Sequence, residues 1–119
     1  MGLGGVQNDL LLKLLGASSE RAKVIAGNLA NQNVAGYQRK ILRFEDLLAQ
    51  ELDDGKGDPL AVEPRIEVDR TTPSSPDGNN VSLELERAEM TENRLLFDLY
   101  ASILQTRMDL LRVAIQESR

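Results

Sequence analysis

The chain has 119 residues, enough for one domain and too few for two ordinary ones. It contains neither Cys nor His, which removes thiol nucleophiles, disulfides, the usual structural zinc ligands and the side chain best suited to proton transfer near neutral pH, so neither catalysis nor a cofactor or metal is expected. A formal net charge of −5 offers no general basic face to a phosphate backbone, and aromatics make up only 3% against a hydrophobic share of 41%, which favours long packed helices over a small globular core and excludes nucleic acid as an expected partner.

Residues 1–7 carry no side-chain charge and lack the positive start and cleavage pattern of a secretory signal. The apolar run 10–15 is broken by Lys13 and is far shorter than the roughly 20 residues that span a bilayer, so membrane insertion is not expected. Alternating steps of four and three give Leu11, Leu15, Ser18, Ala22, Ile25 and Leu29, which predicts a helix over about 8–31 with one buried face. Ser18 and Ala22 are small and permit close approach of a neighbouring helix, or leave two positions poorly filled.

Residues 28–37 read Asn-Leu-Ala-Asn-Gln-Asn-Val-Ala-Gly-Tyr. Asn tolerates a left-handed backbone better than most residues and Gly adopts it without steric cost, so this segment predicts a helix end and a sharply turned loop that delivers Tyr37 beside it. The basic group Arg39, Lys40 and Arg43 reads as a solvated flank. Residues 44–52 predict a short helix, which 53–59, with two glycines and a proline, then break. Residues 53–58 resemble the start of a calcium loop only faintly, because the ligand spacing is wrong and no Glu closes the twelfth position. Residues 65–69 alternate like one short strand, which alone must pair with another molecule or stay mobile. Residues 71–80 are turn and loop.

From Ser82, a plausible N-cap with Glu84 and Glu86 in the first turn behind it, a second helix is predicted over about 83–116, roughly 50 Å long. Its seam is Leu96, Leu99, Ile103, Thr106, Leu110 and Val113, widened by Leu95, Leu104, Leu111 and Ile115 beyond what one partner helix covers. Glu84, Glu86, Glu89 and Glu92 read as a solvated face. The predicted fold is mainly α: two long terminal amphipathic helices form an antiparallel coiled-coil-like pair, joined by an irregular middle with at most a short helix and a short β-strand. Three parts follow: 1–37, a loosely ordered 38–80, and 81–119.

With both ends read, residues 28–37 resemble the N-terminal signature of bacterial flagellar rod and hook proteins, which runs Asn-x-Ala-Asn, two residues, then Thr-Pro-Gly and an aromatic. Asn28, Ala30, Asn31, Asn33, Gly36 and Tyr37 match it, while Val34 and Ala35 replace the Thr and Pro that would stiffen the turn, and Gln38 stands where a basic residue is common. Residues 77–86, Glu92-Asn93 and the run 110–115 look like the proximal rod type within that family, so the resemblance covers roughly 1–50 and 77–119. It implies a structural subunit of the basal body rod in the periplasmic space, exported by the flagellar type III apparatus without signal cleavage. The implied partners are other rod proteins, the membrane ring and its rod adaptor, the export gate, and further copies of the chain in the rod. Phe44 to Leu48 resembles the Phe-x-x-x-aliphatic motif that docks at the export gate, with packing of Phe44 as the equal alternative. A soluble helical adaptor or export chaperone, holding partner helices with the same two amphipathic helices, is the competing functional class.

Overall fold

A computed structural model describes residues 5–118. In chain order it contains helix α1 (Gly5–Ala30), strand β1 (Lys40–Arg43), helix α2 (Glu45–Asp54), a single 3-10 turn (Pro59–Ala61), strand β2 (Arg65–Val68) and helix α3 (Leu83–Glu117). The molecule is a rod of 67 × 30 × 15 Å. α1 and α3 run antiparallel along it, and the middle elements pack along α1 from Leu10 to Asn28.

The start of α3 follows from its sequence. The Ser82 hydroxyl accepts a hydrogen bond from the Leu85 N–H at 3.3 Å, and Glu84 and Glu86 occupy the first turn. α2 ends where Gly55 turns left-handed with φ of 64°.

The single-strand expectation is overturned. β2 has a partner inside the chain: Lys40, Ile41, Leu42 and Arg43 form β1, antiparallel to β2 with Lys40 opposite Val68 and Arg43 opposite Arg65. Two charges in four residues hid β1 in the sequence, yet the apolar member Leu42 is buried and anchors the strand in the core.

That core consists of Ala17, Leu42, Phe44 and Leu48, flanked by Leu10, Leu14, Val24 and Val62. α1 therefore carries two apolar stripes. Leu11, Ser18 and Ile25, all buried and seven residues apart, lie on the side where Asn93 meets the Ser18 carbonyl. Leu10, Leu14, Ala17 and Val24 serve the middle elements instead. Interleaved stripes of this kind read as one broad face in sequence.

The seam between α1 and α3 is keyed by polar residues. Glu86 accepts from the Asn28 amide at 2.9 Å, Asn93 donates to the Ser18 carbonyl at 2.8 Å, and Arg107 donates to the Asn8 side chain at 2.7 Å. These three positions and Tyr100, whose hydroxyl donates to Glu45 of α2 at 3.0 Å, recur every seven residues along α3. A polar residue at such a position fixes helix register at some cost in stability.

Candidate assembly surface

The segment 28–37 is a buried polar joint. None of its asparagines is left-handed; the turn is made by Gly36, with φ of 78°. Asn28 is fully buried within the last turn of α1, and its amide is saturated. It donates to the Lys40 carbonyl at 2.8 Å and to Glu86, and accepts from the Lys40 N–H at 2.9 Å and the Tyr37 hydroxyl at 3.2 Å. The exchange with Lys40 mimics a strand neighbour and satisfies the start of β1. Asn31 folds its amide back onto the Gly27 carbonyl at 2.8 Å. Ala30 and Asn33, the other two matched positions, are exposed.

The second resembling segment closes on the first. The Gly36 N–H donates to the Asp77 carbonyl at 2.9 Å, and Asn79 donates to the carbonyls of Asn31 and Val34 at 2.9 and 2.7 Å. Gly78, at φ of 85°, lies so close that an added Cβ would stand 3.3 Å from the Gly36 Cα. Asn80 accepts from the Arg39 N–H at 2.6 Å and donates to the Asp69 carbonyl at 2.9 Å.

Arg39 is the hub of this joint. It was expected on a solvated flank but is only 3% exposed, and Glu86, expected on a solvated face, is completely buried. The guanidinium reaches Asp69 at 2.5 Å, Glu86 at 2.7 Å and Glu89 at 2.8 Å. Partners 30 to 50 residues apart in sequence made the cluster invisible to local reading. Burial draws the guanidinium pKa down, but hydrogen bonds to Glu86 and Asp69 and the charge of Glu89 outweigh it and hold the group above its usual range. The Thr72 hydroxyl, opposed by burial and helped by Thr71 and Arg39, holds the Asp69 carboxyl well below the ordinary carboxylate range. A second node joins Arg21 to Glu45 and Asn93; burial pushes Glu45 up, but the Arg21 hydrogen bond and charge, a backbone hydrogen bond and the Tyr100 hydroxyl together hold it below its ordinary value. This node borders an open groove of about 480 Å³ whose apolar lining includes Val24, Ile41 and Leu96.

The predicted interface residues divide between two environments. On α1, Leu11 and Ile25 are buried and Leu15, Ala22 and Leu29 half-buried. On α3, Leu96 is half-buried, while Leu99, Ile103, Leu110 and Val113 are exposed, along with Leu95 at 65%. α3 is thus two-sided, with polar keys toward α1 and an apolar stripe toward solvent. Phe44 is completely buried and Leu48 nearly so, which gives both a packing role within the chain. Among the described residues, no group of three or more carboxylates is arranged to hold a metal ion, and no helix is long and apolar enough to cross a membrane.

No family model matches the chain. Among curated proteins, the flagellar basal body rod protein FlgB of Escherichia coli strain K12 is similar to it at 26% identity over 108 residues, covering 76% of this chain and 78% of that protein. The flagellar basal body rod protein FlgB of Shigella flexneri is similar over the same extent at the same identity. At this identity the likeness supports a general relationship to flagellar rod proteins.

Proposed function

We propose that this chain is a structural subunit of the proximal rod of a bacterial flagellar basal body, without catalytic activity, which assembles helically through α1 and α3, transmits torque and continues the export channel. The observation that carries the reading is the exposed stripe of Leu95, Leu99, Ile103, Leu110 and Val113, a row of large apolar side chains left uncovered along a helix whose opposite side is already engaged. The resemblance to FlgB proteins supplies the assembly in which such a stripe is covered. Its partners there are other rod proteins, the membrane ring with its rod adaptor, and further copies of this chain.

Export through the flagellar type III gate belongs to the same proposal. Phe44 and Leu48 sit in the core, so docking at the gate uses the chain before it folds. The decisive experiment is fractionation: a tagged chain should copurify with basal bodies stripped of filament and hook. Recovery only from the cytosol, bound to other helical proteins, would overturn the rod assignment and favour a soluble adaptor.

A further inference from the structure

Two Asp-Gly pairs occur in the chain, Asp54-Gly55 and Asp77-Gly78, and the fold treats them oppositely. We propose that Asp54-Gly55 is a site of spontaneous aspartyl isomerisation, while Asp77-Gly78 is protected from the same reaction by its place in the polar joint.

The reaction needs the Gly nitrogen to attack Cγ of the preceding Asp in its carboxylic acid form. An N–Cγ bond forms, one water leaves, and a five-membered succinimide closes. Water then reopens the ring at either carbonyl, giving aspartate or isoaspartate, in which the main chain runs through Cβ and Cγ. Water lost equals water regained, and nothing is oxidised or reduced.

At Asp77 both reacting groups are tied down. The carboxylate accepts from the Asn79 N–H at 3.0 Å and from the Ser75 hydroxyl, while the Gly78 N–H is committed to the Ser75 carbonyl at 2.8 Å. Those hydrogen bonds also lower the Asp77 pKa, which depletes the reactive acid form. Gly78 is further pressed against Gly36.

The surroundings of Asp54 are open. Its carboxylate has no hydrogen-bond partner among the described residues, residues 52–58 are exposed, and the space beside Gly55 is open. Asp54 is the final residue of α2, whose last turn holds Asp53 and Asp54 and no basic residue. The C-terminal end of a helix disfavours negative charge, so this turn opens easily. Opening releases Asp54 from helical geometry and lets the Gly55 nitrogen reach Cγ.

The test ages the full chain at neutral pH, in buffer and in concentrated urea, and quantifies isoaspartate at each site by methyltransferase labelling and peptide mapping. In buffer, Asp54 should outpace Asp77 about tenfold or more, the ratio given by some 1.4 kcal/mol of extra local opening at Asp77. In urea the two rates should converge. Equal rates in buffer, or an unchanged ratio in urea, would overturn the proposal. Asp53→Lys, which places a cation at the end of α2, should slow Asp54; an unaltered rate would overturn the helix-end account.

Discussion

Arg39 illustrates how much one residue can organise here. It is a single buried cation facing Asp69, Glu86 and Glu89, so removing it leaves two fully or nearly fully buried carboxylates without their charge partner. Breaking a buried pair in this way costs about 3–5 kcal/mol. Arg39→Ala should therefore lower the urea midpoint strongly, whereas Asn33→Ala, at an exposed position in the adjoining segment 28–37, should stay within about 0.5 kcal/mol of the parent. Equal losses would mean that the buried ion cluster is no more important to stability than an exposed side chain of the segment beside it. The same carboxylates set the pH response. Asp69 and Glu45 have depressed pKa values in the folded chain, so they bind protons more readily when unfolded. Their stabilisation is complete above the ordinary carboxylate range and is lost as pH falls through it, below about pH 4. Tyr100, buried beside Glu45, is pushed up to about 12. Its contribution is complete below the usual tyrosine value near 10 and is lost as pH rises above it. With no His to titrate between them, thermal melts should be nearly flat across neutral pH. A steep change there would contradict this assignment of the network.

Individual elements show what could be read in advance and what could not. α3 was legible from its cap and periodicity, and the α1 stripe Leu11, Ile25, Leu29 from its spacing. β1 was not, because Lys40 and Arg43 offset Ile41 and Leu42 in a run of only four residues. The joint around Arg39 and Asn28 stayed hidden for a different reason: charged and amide side chains ordinarily seek water, and only long-range pairing brings them inside. The one local sign of the keyed seam was the seven-residue recurrence of Glu86, Asn93, Tyr100 and Arg107, easily lost among the many other polar residues of α3. Substitutions on the two sides of α3 and in the core should separate folding from assembly. Phe44→Ala empties a fully buried site in the middle core and should cost about 3–5 kcal/mol of stability. Ile103 is 41% exposed, so Ile103→Asp should leave circular dichroism and melting nearly unchanged. It should nevertheless abolish incorporation into basal bodies, because in the rod an unpartnered charge would be buried. Normal motility with Ile103→Asp would remove the stripe from the interface.

The whole molecule is too extended for its size. Its radius of gyration is 18.2 Å, against about 13.5 Å for a compact domain of this length. From the joint, packing extends through the middle core along α1 as far as Leu10. At the other end α3 runs on for ten residues past Arg107, and Met108, Leu110, Leu111, Val113 and Ile115 are all exposed there. Hydrogen exchange on the isolated chain should follow this gradient. Amides near 25–30, 40–44 and 86–93 should be the slowest, and those of 108–117 should exchange soonest. Uniform protection along α3 would show that the far end is stabilised without assembly.

The polar keys between α1 and α3 also bear on how such a molecule would carry load. In a seam of leucines, sliding one helix by a heptad, roughly 10 Å, exchanges each greasy contact for an equivalent one. Here the same slip would tear Glu86 from Asn28, Asn93 from the Ser18 carbonyl and Arg107 from Asn8, three specific hydrogen bonds broken together. The helix pair therefore resists shear like a toothed coupling, while its smooth apolar flank remains free for neighbours.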